Sequence, residues 1–143
     1  MHGMLLNLTA VYGLRALAVL AGLDPGASLN AAALAERTGV PRQYLSKVMR
    51  KLVLARLVHS QRGHGGGFHL QRPPAAIKVV DALRALDLAV DTGCAFGFAA
   101  CDPQNPCALH PLWSRLQDSL EHWTDGCTFA DLQAPSARTR HAR

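Results

Sequence analysis

The sequence predicts a mainly helical fold that carries one small β-hairpin and ends in a long helix. Three observations predict it. Apolar residues recur at helical spacing over 4–22, 28–37, 41–55, 76–87 and 111–124. A single glycine-rich stretch, flanked by short alternating runs, interrupts that pattern near residue 64. The charge is also divided: residues 1–80 hold ten Lys/Arg against Asp24 and Glu36, whereas residues 81–143 hold five Arg against eight Asp/Glu, within a formal net charge of +5.

In the first helix, over 4–22, Leu5, Leu8, Tyr12 and Val19, with Leu14, Leu17, Ala18 and Ala21, make a broad apolar face. Asp24-Pro25-Gly26 turns the chain. Ser28 reads as the N-cap of a short helix that runs to Arg37. Thr38-Gly39-Val40 is a tight turn, and Pro41 suits the first position of a helix running to Ala55. A short helix, a turn containing glycine and a longer helix have the spacing of a helix-turn-helix. In the second of the pair, Leu45, Val48, Met49 and Leu52 share the core face. Arg42, Gln43, Ser46, Lys47, Arg50 and Lys51 share the other, which suits either DNA contact or simple solvation.

Leu57 to Gln61 reads as a strand, Arg62 to Gly67 as a glycine-rich turn and Phe68-His69-Leu70 as the returning strand. Four glycines in five residues permit positive φ and close backbone approach. A P-loop is excluded, because no Gly-Lys-Ser/Thr follows and a strand rather than a helix comes next. A hairpin directly after the second helix is a wing, and its Arg62 is placed to enter a minor groove. Pro73-Pro74 ends the wing. A helix follows over 76–87, with Ile77, Val80, Leu83 and Leu86 apolar. The last helix, over 111–124, spaces Trp113, Leu116, Leu120, Trp123 and then Cys127 by alternating steps of three and four, a narrow seam. Two tryptophans on so short a helix either pack it onto its own domain or, the reading favoured here, make a dimer interface of Trp113, Leu116, Leu120 and Trp123. The fold class is therefore mainly α with a small β-wing: a winged helix-turn-helix over 1–90, a cysteine-rich loop over 91–110, a dimerisation helix and terminal segment over 111–134, and a disordered tail over 135–143.

The opening Met1-His2-Gly3-Met4 lacks the cationic start of a signal peptide. Arg15 interrupts the greasiest stretch, which argues against a transmembrane helix. These features predict a cytoplasmic chain with no membrane partner. Cys94, Cys101, Cys107 and Cys127 all lie in the second half, three of them within 14 residues. In that compartment clustered cysteines point to metal or redox chemistry rather than a disulfide framework.

In order and spacing, several segments together are similar to one bacterial winged-helix family, which includes the iron–sulfur cluster regulator IscR and the nitric-oxide-sensitive repressor NsrR. They are Tyr12-Gly13-Leu14-Arg15-Ala16-Leu17, Leu34-Ala35-Glu36-Arg37-Thr38-Gly39-Val40, Tyr44-Leu45-Ser46-Lys47-Val48, Leu57-Val58, Arg62-Gly63-His64-Gly65-Gly66-Gly67-Phe68, Pro73-Pro74-Ala75-Ala76-Ile77, the three cysteines and Thr128-Phe129-Ala130-Asp131-Leu132. The resemblance implies a homodimeric regulator, acting as a repressor, that binds a roughly palindromic double-stranded operator. Carried over by position, Arg42, Gln43, Tyr44, Ser46 and Lys47 would lie on the recognition helix, and Arg62, Gly63, His64 and Gly65 on the wing. Ser28 and Arg50 complete the expected DNA-binding set. Some members carry a carboxylate where this chain has Ser46, so its target sequence would differ.

The resemblance also implies an iron–sulfur cluster sensing nitric oxide, redox state or cluster supply, held by Cys94, Cys101, Cys107 and His110. Thiolates suit such cores, and a histidine ligand raises the potential. A 2Fe–2S cluster is favoured over 4Fe–4S. The residues themselves also suit a Cys3His zinc site or a thiol/disulfide switch. Pro111 biases His110 towards an extended backbone, which would put it just before the last helix. The nitric-oxide-sensitive branch can take an aspartate ligand where this chain has Val11. Cys127 reads as a small buried hydrophobe. A redox accessory protein or enzyme subunit is the remaining alternative, but the sequence offers no paired carboxylates and no nucleophile beside a base, so no enzyme is expected.

Overall fold

The computed structural model describes residues 6–88 and 102–132. The element order is α1 (Leu8–Ala21), α2 (Ala31–Thr38), α3 (Arg42–Leu54), β1 (Val58–Gln61), β2 (Gly67–Leu70), a single 3-10 turn (Pro74–Ala76), α4 (Val79–Ala85) and α5 (His110–Gly126). The mainly helical, winged class is as the sequence predicts.

The first helix starts later than its apolar pattern suggests. Asn7 caps it, its side-chain oxygen accepting from Ala10 N at 2.8 Å. This satisfies one of the donors that a helix start leaves unpaired. Its inward face is built of small residues, because α1 is packed from several sides at once. At Gly13 a Cβ would fall 2.3 Å from the Leu86 side chain. The glycine therefore sets how closely the segment after α4 approaches α1.

A second correction concerns the cap of α2. It is Asn30, accepting from Ala33 N at 2.8 Å, not Ser28. Leu29 is instead drawn into the sheet: its N donates to Phe68 O at 3.0 Å, and Phe68 N donates to Leu29 O at 2.7 Å. Ser28 consequently turns to the wing, where its Oγ donates to Gly65 O at 3.5 Å. Gly39, at φ 69°, ends α2 in the left-handed conformation. Thr38 is buried yet satisfied, its hydroxyl donating to Leu34 O at 2.7 Å. Pro41 sits one residue earlier than expected, as the cap of α3. Leu45, Val48, Met49 and Leu52 are buried as the pattern requires, joining Leu17, Leu34 and Ile77 in one core.

Strands β1 and β2 pair antiparallel, with Val58 opposite Leu70 and Gln61 opposite Gly67. Gly67 has φ 153°, and a Cβ there would lie 2.5 Å from Leu29 O. The close approach of Leu29 therefore requires glycine at this point. Gly67→Ala is expected to cost about 2 kcal/mol. Its melting midpoint should fall by about 5 °C, measured by far-ultraviolet circular dichroism.

The helix expected over 76–87 divides into the 3-10 turn and α4, because Ile77 and Lys78 take extended backbone to meet the end of the chain. Val79 N donates to Cys127 O at 3.0 Å and Phe129 N donates to Ile77 O at 3.0 Å, with Lys78 opposite Thr128. This clasp fastens the end of α5 to the winged unit. Phe129 is fully buried in the main core. A second, smaller cluster of Ala10, Val79 and Leu83 receives Trp123 and Cys127. Among the described residues, no helix is long and apolar enough to cross a membrane.

Candidate nucleic-acid interface and metal-ligand turn

Helix α3 has one buried and one exposed face. Arg42, Gln43, Tyr44, Ser46, Lys47 and Arg50 are all exposed. Among the described residues the one ion pair joins Lys51 to Asp87. Arg42, Lys47 and Arg50 thus have no ion-pair partner among the described residues, with Arg50 on the third turn of α3 and Arg42 and Lys47 on its first two. Such turns are the part of a recognition helix that meets base edges. Ser46 Oγ donates to Arg42 O at 3.0 Å, so part of its hydrogen-bonding capacity is spent within the helix.

Tyr44 stands apart from that set. Its ring packs edge-on against Tyr12 at 5.2 Å between centroids, and its hydroxyl lies 3.2 Å from Thr9 Oγ1. The Arg15 guanidinium lies 5.9 Å from the centre of the Tyr12 ring. Tyr44 therefore fixes the start of α3 against α1 while keeping part of its surface in solvent. Sequence reasoning missed this Thr9–Tyr12–Arg15 group. Its only local signal is the three-residue spacing of polar and aromatic residues along one helix face.

The wing tip, residues 62–66, carries Arg62 and His64 in exposed positions. Gly63 and Gly65 take positive φ of 99° and 75°, and Gly66 N donates to Gly63 O at 3.0 Å. The glycines thus fold a tight loop that holds both side chains outward. His59 and His69 face each other across the strands, ring centroids 5.0 Å apart.

Of the expected metal ligands, Cys107 and His110 lie in one turn. His110 N donates to Cys107 O at 3.0 Å, Cys107 is a free, half-buried thiol, and His110 is half-buried too. His110 is the first residue of α5 rather than the residue before it. Pro111 occupies a position in the first turn where a helix needs no N–H, so the proline starts the helix instead of excluding His110 from it. Cys94 and Cys101 lie outside the described residues, as does the tail over 135–143. Among the described residues no group of three His, Cys, Asp or Glu could hold a metal ion.

On α5, Leu112 is 65% and Leu116 39% exposed. Trp113 and Leu120 are half-buried, and Trp123 packs on Ala10, Val79 and Leu83 of its own chain.

Comparison with known proteins agrees with this architecture. The pattern that defines the Rrf2 family, described as iron-dependent transcriptional regulators, matches residues 6–135. The HTH-type transcriptional regulator ORF2 of Azotobacter vinelandii is 34% identical over 125 residues, 87% of this chain and 76% of that protein. Among solved structures, T. potens IscR superposes with a TM-score of 0.71 at 27% identity, over 98% of this chain and 95% of that one. CymR, the global cysteine regulator of B. subtilis, superposes with a TM-score of 0.75 at 25% identity, over 91% and 96%. These relatives are regulators and not enzymes. The chain belongs to the Rrf2 family of transcriptional regulators.

Proposed function

We propose that the protein is a homodimeric repressor that binds a roughly palindromic DNA operator, with affinity set by an iron–sulfur cluster. The observation that carries the DNA reading is the set Arg42, Lys47 and Arg50 on α3, without ion-pair partners among the described residues and followed directly by the wing. Unneutralised Arg and Lys on one face attract phosphate and release its counterions. Arg42, Gln43, Ser46 and Lys47 would reach base edges and phosphates in a major groove, with Arg50 one turn further on. Arg62 and His64 would meet the flanking backbone or minor groove, where Gly63 and Gly65 allow close approach. Tyr44 and Ser28 support these contacts through Thr9, Tyr12 and Gly65. The proposed dimer surface is the outer side of α5, where exposed Leu112 and Leu116 adjoin Trp113 and Leu120. Trp123 would brace that helix from behind. Two copies related by a two-fold axis would present two reading heads to two half-sites.

The ligand set proposed for the cluster is Cys94, Cys101, Cys107 and His110. What supports it is that a soft sulfur donor, Cys107, and an imidazole, His110, share one turn at the start of α5. When bound, a 2Fe–2S cluster would supply a centre open to nitric oxide, oxygen or changes in redox state. The chain's own residues would bind it and so tie the stretch between the winged unit and α5 to a single centre. Such a tie would bias the spacing of the reading heads. The test is an absorption spectrum with iron and acid-labile sulfide counts on protein purified without oxygen. Broad visible bands with matched iron and sulfide are expected. Cys107→Ala should lose both while melting like the wild type, and full retention of iron in that variant would refute the ligand assignment.

A second reading is favoured by the likeness to CymR, a regulator named for cysteine. Here the thiols, or a Cys3His zinc site, do the sensing on the same DNA-binding unit. A colourless protein with zinc or with reactive thiols would support it.

A further inference from the structure

The end of α1, the turn after it and the wing enclose a cleft of about 550 Å3, a size that suits a small organic ligand. Its walls come from segments far apart in sequence. Leu20, Leu23 and Leu70 contribute apolar surface. Asp24, Gln61 and Arg72 line it as well, and the side chains of these three have no hydrogen-bond or ion-pair partner among the described residues. An anion and a cation that line one cleft without pairing leave each charge open to a ligand bearing its complement. A guanidinium takes a carboxylate in a two-point fork, and a carboxylate accepts from an ammonium. A small molecule that offers both groups and a carbon body for the leucines is an α-amino acid.

We propose that this cleft binds a free α-amino acid, its carboxylate on Arg72 and its ammonium on Asp24. Gln61 adds an amide that can both donate and accept. The site would report to the wing. Gly65 lines the cleft and also accepts from Ser28 Oγ, so a ligand here would touch both the entry to α2 and the wing tip and would hold one against the other. That effect on operator affinity rests on the DNA-binding reading above, whereas the binding itself does not.

The test is thermal melting of the full chain with each proteinogenic α-amino acid in turn at millimolar concentration, beside parallel DNA-binding measurements. At least one amino acid is expected to raise Tm, by about 8 °C when present at about one hundred times its Kd. Its deaminated acid and its decarboxylated amine should be far weaker. Arg72→Gln and Asp24→Asn, both at exposed positions, should each weaken binding about tenfold or more. The proposal is overturned if no amino acid shifts the midpoint, if the shift survives both substitutions, or if the deaminated acid binds as well as the amino acid. A chain that binds an amino acid but no DNA would sink the operator reading and leave this site standing. A chain that binds DNA but no amino acid would do the reverse.

Discussion

Truncating Phe129 to alanine is expected to destabilise the fold by about 3–5 kcal/mol, the usual cost of a large cavity in a closed core. The side chain is completely buried, and it enters the main core from the far end of the sequence, among residues of the winged unit. Its backbone is held on the opposite side by the bond from Phe129 N to Ile77 O, so the surrounding segment cannot easily slide in to refill the space. Urea denaturation should show a lower midpoint with an unchanged slope. A loss under about 1 kcal/mol would mean that the terminal segment is not docked as described. Leu112→Ala gives a contrast: at 65% exposure it should change monomer stability by no more than about 0.5 kcal/mol, while weakening self-association if the outer side of α5 joins two copies.

Replacing Arg42 and Lys47 together by alanine is expected to lower affinity for duplex DNA by about one hundredfold near physiological salt. Each cation that neutralises a phosphate contributes about 0.9 to the slope of log affinity against log salt. The double variant should therefore flatten that slope by about 2, which fluorescence anisotropy against a labelled duplex reads directly. Both residues are exposed and neither forms an ion pair among the described residues, so their removal should leave melting unchanged. If affinity and slope both stay at wild-type values, α3 is not the reading element. If affinity falls on every duplex by the same factor, the two residues touch phosphate alone. A drop confined to the preferred operator would identify a base contact.

How far the sequence disclosed this molecule depends on the range over which each signal acts. Gly39 and the glycines at 63 and 65 were readable because turn chemistry is local: the backbone conformation each turn needs is written at that residue. The core stripe of Leu45, Val48, Met49 and Leu52 was readable for the same reason, one helix at a time. The cap of α2 was not. Ser28 and Asn30 are both good caps, and the choice between them is made by Leu29, which pairs with Phe68 almost forty residues away. The division of the helix over 76–87 likewise follows from its pairing with Thr128. The resemblance put Tyr44 with the DNA-contacting residues of α3, and its contacts with Tyr12 and Thr9 on another helix had no signal in its own segment. At the start of α5, the sequence placed Cys107 and His110 close together, but it misjudged Pro111, which opens α5 with His110 already inside.

The clasp between residues 77–79 and 127–129 has an architectural consequence. It ties the stretch from Leu88 to Gly126 at its far end to the winged unit, whose main core Phe129 completes. Chain length in such a detour is thermodynamically inexpensive, about 0.6 kcal/mol for each doubling. The length of that stretch and the spacing of its cysteines could therefore change without repacking the winged unit. A fold of this kind behaves as a socket: the clasp closes the winged unit, and the stretch between its two ends can vary in length at little cost.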